Sequence, residues 1–368
     1  MKKAIIAMSG GVDSSVAALL VRESGDECIG ATMKLFQNED VGIEKEKSCC
    51  SLSDVEDARS VANRIGIPFY VFNFTDRFRE EVMDRFSDAY LHGRTPNPCI
   101  HCNRYLKFEK LLHRMKELGF DYIVTGHYAR TEYDEERGRY LLRKAVDGNK
   151  DQSYVLYTLT QEQLAHVRFP LGTLHKEEVR AIAEKNGFVN ARKHDSQDIC
   201  FVPDGDYASF IERHTGVRLP EGDFVDRQGT VLGRHKGITH YTVGQRRGLG
   251  LPAGRRIYVC ELRTDTNEVV LGENEDLFSR ELTAGDVNLI SVDELKEPMH
   301  VKARIRYKHK EQDALAWQTE DGKLHVRFEE PQRAITAGQA VVLYDGDIVV
   351  GGGVIESAVN SNRKALFV

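Results

Sequence analysis

The sequence predicts an α/β protein: a doubly wound parallel sheet, then a small central module and a C-terminal β-barrel-like domain. Three observations predict it. Strand-like and helix-like segments alternate through the first half, and a Gly/Ser turn joins the first strand to the first helix. After about residue 205 the texture changes to short β-branched runs separated by turns.

Taken in order, Lys3 to Met8 is an apolar run and reads as a buried first strand. Ser14 to Glu23 follows with helical spacing at Val16, Leu19 and Leu20, and Cys28 to Leu35 reads as a second strand. A charged loop runs from Gln37 to Leu52. Ser53 to Glu56 then has the spacing of a capping box, with Val55, Ala58, Val61, Ala62 and Ile65 as the buried stripe and Gly66 as the stop. Phe69 to Phe74 is a third strand. Helical segments surround Phe78 to Leu91 and Phe108 to Leu118, and Tyr122 to Thr125 is a fourth strand. In such a sheet ligands bind at the strand C-terminal ends.

Beyond residue 205 long helical periods largely disappear. Gly233 to Cys260 and Glu281 to Gly353 read as short strands, with Asp321-Gly322 and Asp345-Gly346 as hairpin turns. The expected division is 1–205, 206–275 and 276–368.

At 368 residues the chain exceeds what one hydrophobic core serves, which agrees with several domains. No stretch is long and apolar enough for a membrane-spanning helix, and the apolar start is ended by Ser9-Gly10-Gly11 before it resembles a leader. The expectation is a cytoplasmic protein without membrane contact. Seven cysteines at irregular spacing do not form a disulfide framework and read instead as core fillers, metal ligands or reactive thiols. A net charge of −6 argues against a generally basic nucleic-acid binder, so any such surface must be local.

The turn Ser9-Gly10-Gly11-Val12-Asp13-Ser14 carries the first chemical signal. Glycines let backbone amides approach an anion, the helix N-terminus adds positive potential, and serine hydroxyls add donors. It is not a Walker A loop, because the Gly-Lys-Ser/Thr ending is missing. The string resembles the SGGxDS loop of the N-type ATP pyrophosphatases (PP-loop ATPases, Rossmann-like). That resemblance implies cleavage of ATP between the α- and β-phosphates and an adenylated substrate. Some members of that superfamily then add ammonia and others add sulfur.

Two cysteines favour sulfur. Thr95-Pro96-Asn97-Pro98-Cys99-Ile100-His101-Cys102-Asn103 reads as a rigid loop leading to a helix from Phe108, with Arg104 and Lys107 placed to favour a Cys102 thiolate. Cys200 lies in a second polar loop, Asp195 to Phe201. A pair of this kind suits a persulfide carrier and a partner thiol.

Together with Thr125-Gly126-His127-Tyr128, Lys150-Asp151-Gln152-Ser153 and Thr242 to Leu249, these segments occur in the order of the tRNA-specific 2-thiouridylase (MnmA) family. Arg304 to Tyr307 and Gly338-Gln339 extend the resemblance over nearly the whole chain. It implies an ATP- and Mg²⁺-dependent exchange of O2 for sulfur at the wobble uridine of lysine, glutamate and glutamine tRNAs. It also implies a persulfide donor, either a cysteine desulfurase or a sulfurtransferase. By the same resemblance Cys102 is the nucleophile and Cys200 the persulfide carrier. Ala7, Met8, Ser9, Gly10, Gly11, Val12, Asp13, Ser14, Met33 and Gly126 contact ATP, with Asp13 available to arrange Mg²⁺ or phosphate. Asn97 and Pro98 hold the target base beside Cys99. His127, Lys150, Asp151, Gln152, Arg306, Tyr307 and Gln339 touch tRNA.

One departure stands out. Position 99 is often aspartate in the family, whereas Cys99 here makes a Cys-x-x-Cys with Cys102, and Cys200 is a third thiol. Three thiols suit three irons of a [4Fe–4S] cluster, and they equally suit a redox pair or a tolerated substitution. Cys49 and Cys50 read as loop thiols, and Cys28 and Cys260 as packing residues.

Two basic stretches point to RNA. Gly229 to Cys260 holds six arginines and lysines with no acidic residue. Lys302, Arg304, Arg306, Lys308 and Lys310 alternate with mostly apolar residues, which on one strand puts all five cations on one face. A solvated sheet face explains that pattern as well as a polyanion does, until the family motifs are added. Two other functions stay open at this point: an ATP-dependent amidating ligase, and an idle tRNA-binding or sulfur-relay module.

Overall fold

The computed structural model describes residues 1–37, 52–194, 199–251 and 256–359. The expectations for Cys49 and Cys50, and for Asp195 to Asp198, lie outside the described residues.

The first half alternates as expected: β1 (Lys3–Ala7), α1 (Val12–Glu23), β2 (Glu27–Lys34), α2 (Leu52–Ile65) and β3 (Phe69–Asn73). Next come α3 (Thr75–Phe78), a π-helical stretch Arg79–Asp84 and α4 (Arg85–Leu91). α5 (Pro98–His101), a π-helical stretch Cys102–Lys110 and α6 (Leu111–Glu117) lead to β4 (Tyr122–Val124). The hairpin of β5 (Ala129–Asp134) and β6 (Arg139–Lys144), a 3₁₀ turn Ser153–Leu156, α7 (Gln161–Ala165), β7 (Val167–Arg168) and α8 (Lys176–Lys185) complete this part. The later elements are α9 (Tyr207–Thr215), β8 (Gly222–Val225), β9 (Val231–His235), β10 (Tyr258–Arg263), β11 (Glu268–Gly272) and β12 (Phe278–Leu289). The chain then ends in β13 (Met299–Arg304), β14 (Gln312–Gln318), β15 (Leu324–Arg333), β16 (Ala340–Asp345) and β17 (Ile348–Val359).

The chain divides into two compact units, 1–83 with 98–205 and 347–349, and 84–97 with 206–346 and 350–368. In the first, β3-β2-β1-β4-β7 form a parallel sheet, with every neighbouring pair parallel. β1 is buried from Ala4 onward, as an interior strand of a parallel sheet is. Ala4, Ile6, Val16, Ala17, Val61, Ala62 and Val124 belong to that core. Since β1 lies between β2 and β4, the chain reverses its winding direction there. The crevice beyond the carboxyl ends of β1 and β4 is the position where such sheets bind ligands.

In the second unit, two of the hydrophobic cores among the described residues are built on sheets. The sheet β10-β11-β8-β9 packs around Phe224, Ile238, Tyr241 and Val259. A closed barrel follows in the order β12-β15-β14-β13-β16-β17, with β12 pairing again to β17. Register shifts at Thr283/Ala284 and Gly285/Asn288 bend β12 enough for one strand to serve both partners, which closes the barrel. Asp321-Gly322 and Asp345-Gly346 are the turns before β15 and β17, and both glycines have positive φ.

Four local expectations need correction. Ser53 is inside α2, which already starts at Leu52, so it is not the cap. The Asp54 carboxylate is instead taken by Lys193 Nζ at 2.5 Å. Cys102 is helical rather than in a loop, because Pro98, with φ preset by its ring, starts α5 and the turns continue through it. After residue 205 a nine-residue helix, α9, persists; the Asp206 carboxylate caps it by accepting from Ser209 N at 3.1 Å. Finally, the run from Lys302 to Lys310 is not one strand. β13 ends at Arg304, whose guanidinium turns back to donate to the carbonyls of Tyr307 at 2.6 Å and His309 at 3.1 Å, closing a turn. The five cations therefore do not share a strand face.

Candidate active site

Ala7 ends β1 and Met8 opens the loop that the sequence singled out. Met8 is fixed by its own N–H to Ala31 O at 2.9 Å and by Thr32 Oγ1, which donates to Met8 O at 2.6 Å. Gly10 has φ +77°, and a Cβ there would lie 2.3 Å from Asp54 O, so only glycine fits. Ser14 and Ser15 hydroxyls both donate to Gly11 O at 3.0 Å. Asn190, a residue with no sequence signal, donates from Nδ2 to Gly10 O at 2.8 Å and to Ser15 Oγ at 2.9 Å. Because a trans peptide points its C=O and N–H in opposite directions, fixing Gly10 O toward Asn190 turns the Gly11 N–H away from it. The N-cap of α1 is Gly11, which provides no side-chain cap for the amides beginning at Val12. An uncapped helix start is an anion-binding arrangement, and the Ser14 and Ser15 hydroxyls, spent on Gly11 O, shape the loop around it.

Gly126, after β4, abuts this loop: a Cβ would meet Ser14 N at 2.7 Å. Met33 lies on β2, near its carboxyl end and half-buried. Asp13 is held by two neighbours. Both carboxylate oxygens accept from Lys176 Nζ, at 2.7 and 2.8 Å, and Tyr128 OH donates to one of them at 2.9 Å.

His127 is buried. Its Nδ1 is 2.7 Å from Thr125 Oγ1, and Phe108 and Phe169 flank the ring with centroids at 5.9 and 6.0 Å. Burial, aided by the Lys107 charge, holds the imidazole pKa well below its ordinary value. The ring is therefore neutral at pH 7 and offers a hydrogen-bonding edge rather than a charge.

Cys102 is half-buried and opens the π-helical stretch, and the next residue anchors it: Asn103 Nδ2 donates to Val155 O at 3.0 Å. The expected stabilisation of its thiolate is outweighed. Desolvation raises the thiol pKa, and Lys107 opposes that only in part. Cys200 is half-buried in a turn, and Phe201 beside it is buried with its ring 5.7 Å from Phe78. Cys99 is exposed. Among the described residues no group of three or more His, Cys, Asp or Glu is arranged to hold a metal ion, so Cys99, Cys102 and Cys200 do not form a cluster site in this conformation. Cys28 is buried in the first core, and desolvation pushes the Cys260 thiol up to about 11, so neither is a reactive thiol.

In the Lys150–Ser153 segment, Asp151 is buried and its carboxylate accepts from Ala145 N, Ser153 N and Ser153 Oγ. Gln152 brackets Tyr128, donating from its own N to Tyr128 O at 2.9 Å and accepting from Tyr128 N at Oε1 at 3.0 Å. Both side chains build the segment, and Lys150 is the more exposed of its charges.

Pro98 begins the helical part of the first unit, whereas Asn97 belongs to the second. There, Thr95 N donates to Ala337 O at 2.9 Å and Gln339 Nε2 donates to Thr95 O at 2.8 Å. The fold thus brings the Gln339 region to the segment that leads into Asn97. Arg306 and Tyr307 are on the turn that Arg304 closes, and both are half-buried. In the central module Arg234 is paired with Asp223 at 2.9 Å, while Arg246 and Arg247 are exposed.

Comparison with known proteins agrees with these features. Residues 2–204 match the model of a tRNA methyl transferase HUP domain, 208–273 a tRNA methyl transferase PRC-barrel domain and 279–355 an aminomethyltransferase β-barrel domain. The tRNA-specific 2-thiouridylase MnmA of Acetivibrio thermocellus is 55% identical over 96% of this chain and 99% of its own length. That of Clostridioides difficile is 54% identical over 97% of this chain and 99% of its own length. Overlap with solved structures is weak: a 4-thiouridine synthetase bound to RNA and ATP covers 55% of this chain and 45% of that one, at 20% identity and a TM-score of 0.36. With full-length relatives at this identity and a phosphate-loop sheet at its N-terminus, the chain belongs to the tRNA-specific 2-thiouridylase (MnmA) family of PP-loop enzymes.

Proposed function

We propose that the protein replaces O2 of the wobble uridine, position 34 of lysine, glutamate and glutamine tRNAs, with sulfur in an ATP-dependent reaction in the cytoplasm. The observation that carries this reading is the uncapped start of α1, held open by Gly10 and by the hydrogen bonds of Ser14, Ser15 and Asn190 within the loop, in the same unit as two half-buried thiols.

Uridine O2 attacks the α-phosphorus of ATP, and pyrophosphate leaves from the loop. The O2 adenylate turns a poor leaving group into AMP. The terminal sulfur of a Cys200 persulfide attacks C2 and AMP departs with the former O2, leaving the base joined to Cys200 by a disulfide. Cys102 then attacks the Cys200 sulfur. This releases 2-thiouridine and forms a Cys102–Cys200 disulfide, which an external thiol reduces. A cysteine desulfurase or sulfurtransferase supplies the persulfide. Mg²⁺ would accompany ATP as its counter-cation, beside the Asp13 carboxylate that Lys176 and Tyr128 hold. Pro98 sets the helix that carries Cys102. Asn97, Lys150, His127, Arg306, Tyr307 and Gln339 are the proposed RNA-facing positions, with Asp151 and Gln152 acting through the local backbone.

The test is mass spectrometry of an unmodified lysine tRNA after anaerobic incubation with the protein, ATP, Mg²⁺ and a persulfide source. The expected result is an oxygen-to-sulfur mass gain at the wobble uridine that needs ATP and is lost in Cys102→Ser and Cys200→Ser. Pyrophosphate release only with ammonia, and unaffected by either substitution, refutes thiolation in favour of an amidating ligase.

A further inference from the structure

We propose that Lys176 is a positioning residue of the phosphate loop, acting through Asp13. The inference rests on the reading that this loop binds ATP and extends it to a residue outside the loop motif.

The location of Lys176 is physically unfavourable unless Asp13 is considered. It is the first residue of α8 and is buried, with 7% of its surface exposed. A cation at a helix N-terminus is opposed by the helix dipole, and the site already has its acidic complement. Asp147 Oδ2 accepts from the Lys176 backbone N at 3.0 Å, and Glu178 accepts from His175 N at 2.7 Å. Desolvating an ammonium there needs a partner, and both oxygens of Asp13 supply one, at 2.7 and 2.8 Å. The Tyr128 ring lies 5.8 Å from the same ammonium, and its hydroxyl donates to Asp13.

Asp13, in turn, is poorly placed for a phosphate site without Lys176. It is in the first turn of α1, the end whose free amides attract an anion, and an uncompensated carboxylate there repels one. Lys176 cancels that charge and fixes the carboxylate. Gly126 packs so closely on Asp13 and Ser14 that the first turn has little room to reorient by itself. Lys176 does not replace the missing Walker lysine, because its ammonium is spent on Asp13. It sets the charge and orientation of the turn that receives the phosphates.

The test is a double-mutant cycle read by calorimetric titration with ATP and, separately, with adenosine. Lys176→Met, which leaves the Asp13 carboxylate uncompensated, is expected to weaken ATP about tenfold or more and to leave adenosine within about twofold; Asp13→Asn, which removes that charge, should weaken ATP less, through lost orientation alone. The double variant should bind ATP better than Lys176→Met, since Asp13→Asn removes the carboxylate that repels the phosphates once the ammonium is gone. Lys176→Arg should recover most of the loss. Multiplicative losses, wild-type ATP affinity in Lys176→Met, or a parallel loss of adenosine binding would each overturn the proposal. If Lys176→Met lacks a cooperative melting transition, Tyr128→Phe decides: it should weaken ATP about two- to threefold, and unchanged affinity contradicts the role. Wild-type protein that binds ATP yet releases no pyrophosphate with tRNA defeats the thiolation reading alone, leaving Lys176 to be judged by the cycle.

Discussion

At the scale of single residues, the chemistry depends on where a few side chains are held rather than on what they are. Cys102 illustrates this. Its basic neighbours predict a thiolate, but partial burial wins and raises the thiol pKa, with Lys107 a smaller opposing influence. A raised thiol pKa means that the nucleophilic fraction is small at neutral pH and grows about tenfold per pH unit until the pKa is reached. Single-turnover sulfur transfer from pre-adenylated tRNA should therefore still be rising above pH ~8.5, the ordinary cysteine value. A plateau already established at pH 7 would show that Cys102 does not limit that step. The motif residues Gly10, Asp13 and Gly126 could be read from the chain because their spacing is local. Asn190 and Lys176 could not, since each reaches the loop from more than 160 positions away and neither belongs to a local pattern.

At the scale of elements, strand alternation and turn glycines were legible because burial and positive φ leave local marks. Asp321-Gly322 and Asp345-Gly346 are turns for that reason. The basic run near residue 306 misled, because period two continues in the sequence past the point where Arg304 ends the strand. Likewise, the prolines around Asn97 suggested a loop, whereas Pro98 starts a helix. The Arg304 geometry leads to a specific expectation. Arg304→Met should open the turn that presents Arg306 and Tyr307 and weaken tRNA binding about tenfold, or about 1.4 kcal/mol. The salt dependence of binding should be unchanged, because the guanidinium is committed to two carbonyls rather than to a phosphate. A salt slope lowered by about one unit would instead make Arg304 a direct phosphate contact.

At the scale of the whole molecule, one buried and one half-buried imidazole link stability to pH. Burial and the neighbouring Arg306 and Arg304 lower His309 to about 4, and His127 is lowered by burial and Lys107. Each is neutral when folded but takes up a proton in the unfolded chain below about pH 6.5, so acid favours unfolding. Melting temperature should fall as pH drops from about 6.5 toward 4, and His309→Gln should flatten part of that slope. An unchanged slope would mean that His309 is accessible to protons in the folded state.

The most direct measurement follows the oxygen. With a lysine tRNA carrying ¹⁸O at O2 of the wobble uridine, the account predicts ¹⁸O-labelled AMP and one pyrophosphate for each 2-thiouridine formed. Unlabelled AMP, or ADP in place of AMP, would contradict adenylation of the base and with it the role assigned to the phosphate loop.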